Sequence, residues 1–480
     1  MGSSDRADIF MPNHIVQPDY SLTQPIKNLV KIAPVFVAPD VTVAEAARQM
    51  QRSRIGSVLV AADPPGIVTD RDLRGRVLAG SMPPETPVSH VMTRPLRTID
   101  SDLPAFAALR LMIDENIHHL PVIEEGKIVG VISATDLLLH QKNNPIYLRG
   151  VIERLDEATV IGNYASEIES LAEALFQGGL GALQISQIVS SLNDALAKRI
   201  VQSAEQNLGP APAAFAWIVF GSEGRMEQTL LTDQDNALVF EYESEKSRAY
   251  FNALSKRVTD GLIKAGFPPC PGGFMAINWC KPLAEWQQLF ENWIKLPEPQ
   301  ALLDAAIFFD FRVVAGSLSL QSLEKIISAA KSERRFLSHM LNGAMLFNPP
   351  LGFFNRVRSD NGKIDLKMSG IAPIVALARA AGLAAGSSER STLGRLRIAG
   401  TSGIVLDRET AQALAEMLPF FLRLRLRAQL TARKNRQPID NRVGLADLSI
   451  LERRNLKENF VAIKQIQENL KAVWRLDRLG

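Results

Sequence analysis

The stretch VFGSEGRMEQTLLTDQDNALVF, Val219 to Phe240, decides how this chain is read. It runs from an apolar strand (216–220) into a Gly-Ser turn, then a helical stretch, then a second strand bearing two aspartates one residue apart. Gly221 and Ser222 end the first strand, and a glycine there lets the backbone come close to a bound phosphate. Side chains alternate along a strand, so Asp233 and Asp235 are expected on one face of the second. Two adjacent carboxylates repel, which is costly unless a cation sits between them. Hard oxygen donors suit Mg2+, with a triphosphate completing its shell. Such metals stabilise the attacking and leaving oxygens of phosphoryl chemistry.

Outward from that stretch, 480 residues exceed one ordinary core and imply several domains. The balance of 54 basic and 51 acidic residues, net +3, does not point to a nucleic-acid or membrane binder. Cys270 and Cys280 match no metal-ligand spacing and read as small buried thiols of a reduced compartment. The pair His118-His119 has no Cys or carboxylate spacing that would make it a zinc site. Asp5, Arg6 and Asp8 stand where a signal peptide needs an apolar run, and no uncharged apolar run reaches the length of a membrane span. The expectation is a cytoplasmic protein.

The first third repeats itself. Residues 38–60 align with 100–122 at an offset of 62 (60 and 122 differ by that number), placing Asp40 on Asp102, Met50 on Met112 and Val60 on Val122. GIVTDRDL (66–73) aligns with GVISATDL (130–137) at an offset of 64, the difference falling in the turns, where length costs least. Each copy reads helix, strand, turn, strand, helix. Ala44, Ala47, Met50 and Gln51 mark a helix, Ser57–Val60 a strand, and Asp72 and Asp136 open the following helices just after Thr69 and Ser133. This arrangement resembles a tandem pair of CBS domains over roughly 30–142. The resemblance implies an adenine nucleotide (AMP, ADP or ATP), with Thr69 and Ser133 at phosphate, Asp72 and Asp136 at the ribose hydroxyls, and homodimers formed through the pair. As helix openers alone, the two aspartates need no ligand.

The stretch 219–240 itself resembles the nucleotidyltransferase β superfamily, and GSEGRMEQTLLTDQD is closer still to the N-terminal region of the protein-PII uridylyltransferases. That resemblance implies an NTP substrate held by Gly221 and Ser222, metal on the catalytic Asp233 and Asp235, and Arg225 and Glu227 lining the pocket. Arg225 reads equally as a surface residue paired with Glu223 or Glu227. Gln234 stands where many relatives place an apolar residue. A third carboxylate, usual on a later strand, is missing: 265–286 holds no acid before Glu285.

Beyond 297 the chain reads as almost wholly helical, with Asp310 and Arg312 as a buried pair facing a domain interface. The run Arg423–Arg436 holds six basic residues and no acid, and reads as a solvated helix face or a phosphate contact. The resulting fold class is multidomain α/β plus α. Its parts are an N-terminal segment (1–29), a tandem CBS pair (30–142), a helical connector (143–208), a nucleotidyltransferase α/β core (209–296) and a helical C-terminal domain (297–480). The expected function is Mg2+-dependent NMP transfer to an acceptor, such as a PII-like protein, under control of the CBS ligand. The alternative is a non-catalytic nucleotide-binding regulator.

Overall fold

The computed structural model describes residues 22–30, 32–138, 145–153, 164–230 and 233–476. Most of the N-terminal segment and parts of the connector therefore lie outside the described residues.

Two matching modules come first. Strands β1 (Phe36–Val37), β2 (Ser57–Val60) and β3 (Gly66–Thr69) form one sheet beside helix α1 (Val43–Ser53). Strands β4 (Ile99–Asp100), β5 (His119–Glu124) and β6 (Lys127–Ser133) form the other beside α2 (Ala105–Glu115). Their registers coincide: Val60 faces Val37 and Gly66, as Val122 faces Ile99 and Gly130. The longer second copy spends its extra residues in a hairpin turn, where Glu125 and Gly126 take positive φ. On α1 the buried stripe is Val43, Ala46 and Met50, one step around the helix from Ala44 and Ala47.

The middle of the chain holds a mixed four-stranded sheet in the order β10-β7-β8-β9: β7 (Phe215–Val219), β8 (Asn236–Phe240), β9 (Cys280–Pro282) and β10 (Arg312–Gly316). Every residue of β7 and β8 is buried, so both faces must be covered. Phe215, Trp217 and Val219 pack with α4 (Ala182–Leu208) and α5 (Glu245–Lys264). Ala216, Ile218 and Phe220 face α6 (Leu283–Lys295) and α7 (Pro299–Phe308). Period-two alternation thus sorts one strand between two aromatic-rich layers.

Helices α3 (Tyr164–Gln177) and α4, which the sequence places in a connector, belong to the packed interior. One apolar cluster runs from Leu109 and Met112 of α2 through Ile188 and Leu192 of α4 into the C-terminal helices. Those are α8 (Arg334–Ala344), α9 (Ala372–Ala384), α10 (Thr392–Ser402), α11 (Arg408–Lys434) and α12 (Ile450–Trp474). Among the described residues one helical run, Lys367–Ala384, is long and apolar enough to cross a membrane, but 78% of it is buried inside the protein. Part of the basic run 423–436 is paired: Arg427 meets Glu452 at 2.7 Å, while Arg433 meets Glu169 at 2.7 Å and Glu173 at 2.8 Å.

Candidate nucleotide and metal site

Phe220 leads from β7 into a short helical turn, Gly221–Gly224. Gly221 has φ of 59°, and a Cβ there would stand 2.9 Å from Oδ2 of Asp235. The turn therefore lies directly under the aspartate, with only a glycine's backbone between. Asp233 and Asp235 sit in the extended entry to β8, whose ladder begins at Asn236, and not on the strand as the sequence suggests. The backbone of Asp235 still holds the β7 end, its carbonyl accepting from Phe220 N at 3.1 Å. Leaving the ladder frees both side chains from sheet packing.

The unexpected Gln234 has a structural reason. It is buried, its backbone N–H donates to Pro268 O and its side-chain amide to Phe267 O, both at 3.1 Å. Asn236 donates to Phe274 O at 3.1 Å and accepts from Ala276 N at 2.8 Å. Four hydrogen bonds thus lace the loop 267–276 onto the aspartate segment. They bring Cys270 to the pair: Asp233, Asp235 and Cys270 each offer a ligand atom, all within 4.8 Å of one another. Cys270 is a buried free thiol, as the sequence suggests, and its neighbours are the two aspartates.

Burial, and then the charge of Asp233, push the Asp235 carboxyl up to about 6 from 3.8, against the Cys270 hydrogen bond and the charges of Lys367 and Arg225. Lys367, an exposed residue of the C-terminal part, is a cation near the site that sequence reading did not single out. On the turn, burial and then Asp194 push the Glu223 carboxyl up to about 8, which favours its protonated form.

Arg225 pairs with Glu227, one of the two partners the sequence offers it, but not on the surface. Neither is a surface group, and both are engaged inward. Arg225 holds Glu227 at 2.8 Å and Asp310 at 2.5 Å. Glu227 accepts from the backbone and hydroxyl of Thr392 at 2.7 and 2.8 Å. These bonds tie the Gly-Ser turn to α10, while the charge of Arg225 also acts on Asp235. Asp310 and Arg312 also part company. Asp310, fully buried, binds Arg225, Arg379 and Arg395, which hold its carboxyl far below the usual range. Arg312 pairs with Asp194 and caps the turn through Glu223 O at 3.1 Å. Gly224 is required here, because a Cβ would stand 2.0 Å from Asp310 O.

In the N-terminal modules Thr69 caps its helix and Asp72, third in that helix, reaches back to Thr69 N at 2.9 Å and Oγ1 at 2.8 Å. Ser133 and Asp136 repeat the motif at 2.8 and 2.6 Å. The aspartates are thus the reciprocal partners of the caps, not the caps expected from sequence. The two sites differ in surroundings. Asp72 also meets Arg76 at 3.4 Å, whereas Ser133 and Asp136 line a cleft of about 440 Å3 together with Asp70, Gly56, His118 and His119. Burial lowers both histidines below their ordinary value, which favours the neutral imidazole. Thr69 and Asp72 do not line that cleft.

Comparison with known proteins agrees with this layout. The model described as "CBS domain" matches residues 26–79 and 88–143, "Putative nucleotidyltransferase DUF294" matches 166–300, and "Putative nucleotidyltransferase substrate binding domain" matches 334–473. The chain is 30% identical over 121 residues to CBS domain-containing protein YhcV of Bacillus subtilis, covering 25% of this chain and 86% of that one. It is 36% identical over 133 residues to CBS domain-containing protein CBSCBSPB2 of Arabidopsis thaliana, a quarter of each chain. A protein of Methanopyrus kandleri, 34% identical over 106 residues, is matched over 54% of its length, so these matches span only part of such relatives. A solved structure from Pyrococcus horikoshii is 34% identical and aligns with 25% of this chain and 92% of its own, at a TM-score of 0.24. The chain belongs to the CBS-domain proteins. In it a CBS pair is joined to a nucleotidyltransferase-class domain and that domain's C-terminal substrate-binding partner.

Proposed function

We propose that this chain transfers a nucleoside monophosphate from NTP to an acceptor hydroxyl, releasing pyrophosphate, under the control of an adenine nucleotide held by the CBS pair. The observation that carries the reading is the placement of Asp235 over the side-chain-free Gly221, with Asp233 beside it. Two carboxylate oxygens suit a divalent cation, which when bound would neutralise charge on the phosphates and the leaving group. Gly221 and Ser222 present the turn to the triphosphate, and Arg225, Glu227 and Arg312 fix that turn from behind. A PII-like protein is the proposed acceptor, with UMP the group transferred. The test offers each NTP, labelled at its α-phosphate, with Mg2+ to the full chain plus cell extract. Label should appear on a macromolecule with the parent and not with Asp235→Asn. A second reading, a regulator that binds NTP without transferring it, is favoured by the stretch 265–284, which holds no acid that could serve as a third carboxylate.

For the sensor, the Ser133–Asp136 cleft is the proposed adenine-nucleotide site, since a carboxylate can accept from both ribose hydroxyls. Asp136→Ala should abolish calorimetric binding of AMP, ADP and ATP, while the ligand at 100 times its dissociation constant should stabilise the parent by about 2.7 kcal/mol. No heat with any of the three would contradict this assignment. Homodimer formation through the pair remains part of the proposal.

Control has a physical route. The helix α2 leads at its C-terminal end into His118 and His119, which line the cleft. On its other face, Arg110 donates to the sulfur of Met226 at 3.4 Å, and Met226 holds a left-handed φ of 57° just after the Gly-Ser turn. If both sites bias one equilibrium, cleft ligand changes NTP affinity and NTP changes cleft affinity by the same factor. Arg110→Ala should leave each affinity measurable but reduce that factor toward one. An unchanged factor would place the coupling elsewhere.

A further inference from the structure

We infer that Cys270 is a third protein donor to the metal at Asp233 and Asp235, and that this site takes a thiol-seeking divalent ion such as Zn2+, Co2+ or Cd2+ more readily than two carboxylates alone would. The inference rests on the metal-facing reading of the aspartates but not on transfer chemistry. Three ligand atoms within 4.8 Å of one another must draw together by up to about 1 Å to share one ion, since metal–sulfur and metal–oxygen bonds are about 2.0–2.3 Å long. The approach is built by the fold. Cys270 lies in the loop laced down by Gln234 and Asn236, and the turn after it takes Gly273 at φ of 72°. Gly272 is needed as well, because a Cβ there would meet the Phe274 ring at 2.8 Å.

Cys280 provides the contrast within the same chain. It lies on β9 in the apolar layer with Phe251 and Leu254, where a small thiol only fills space. Packing alone would not require the other cysteine to face two carboxylates. Soft sulfur beside hard oxygen selects borderline and soft ions over Mg2+, because thiolate adds little for a hard cation.

The full chain titrated with Co2+ or Cd2+ tests this directly through its sulfur-to-metal charge-transfer absorption. One equivalent of band should form in the parent and in Cys280→Ser, and be lost in Cys270→Ser. A band that survives Cys270→Ser, or no band in the parent, overturns the proposal. Should Cys270→Ser fail to fold, alkylation of the parent read by mass spectrometry decides: metal should slow modification at Cys270 and not at Cys280. An unchanged Cys270 rate would equally overturn it. A band without any labelled product would leave the donor intact and count against the transfer reading alone.

Discussion

Replacing Asp310 by Ala or Asn is expected to cost stability on the order of 3–5 kcal/mol, the largest effect of any single substitution considered. The carboxylate is fully buried and is the shared partner of Arg225, Arg379 and Arg395, at 2.5, 2.7 and 2.6 Å. Its removal leaves up to three guanidinium groups in the interior with Glu227 as the other acid in contact, through Arg225. Burial already pulls Arg395 down to about 10 against the pull of Asp310, which shows how far that charge depends on its partner. The same substitution should loosen the Gly221–Gly224 turn, because Arg225 links it to α9 and α10 through Asp310. Thermal melting of Asp310→Asn should therefore begin well below the parent, and adding Arg395→Met should recover part of the loss in a double-mutant cycle. Coincident melting of Asp310→Asn and parent would contradict the network's role.

Asp235→Asn should move stability the other way while removing activity. In the folded protein burial and Asp233 raise this carboxyl to about 6, above its unfolded value of 3.8. A raised acid favours the folded state when protonated, so its contribution is present at low pH and lost as pH climbs between those two values. The difference corresponds to at most about 3 kcal/mol. At pH 8, metal-free Asp235→Asn should thus melt with the parent or above it, and below about pH 4 the two should converge. Transfer should fall by orders of magnitude, since metal assistance contributes on the order of several kcal/mol to such a transition state. Melting curves at pH 8 and pH 4, with chelator present, separate this from a scaffolding role, which predicts an early-melting mutant.

The sequence reading reached furthest where information was local. The repeat was legible because two offsets fix two strand registers, and Val60–Gly66 and Val122–Gly130 pair as the alignment requires. The Gly-Ser turn was legible because glycine at positive φ is a local demand. Asp233 and Asp235 were found but placed on the strand, because period-two spacing also holds in an extended approach that has not joined the ladder. Cys270 was missed as a neighbour of the pair because its approach depends on Gln234 bonding a carbonyl 33 residues away. Asp310 was paired with Arg312 by proximity in sequence, whereas Arg379 and Arg395 lie 69 and 85 residues on. Nothing local to Glu227 signals its bond with Thr392, 165 residues further along the chain.

Whether Asp233 and Asp235 serve nucleotidyl transfer is decided by following two labels on one NTP. Full chain, divalent metal, extract and cleft ligand are incubated with NTP labelled at either the α- or the γ-phosphate. Nucleotidyl transfer predicts that α-label enters a macromolecule while γ-label leaves as pyrophosphate, and that both signals vanish with Asp235→Asn. Persistent binding of intact NTP, with neither label redistributed under any cleft ligand, would contradict it and leave a nucleotide-binding regulator in its place.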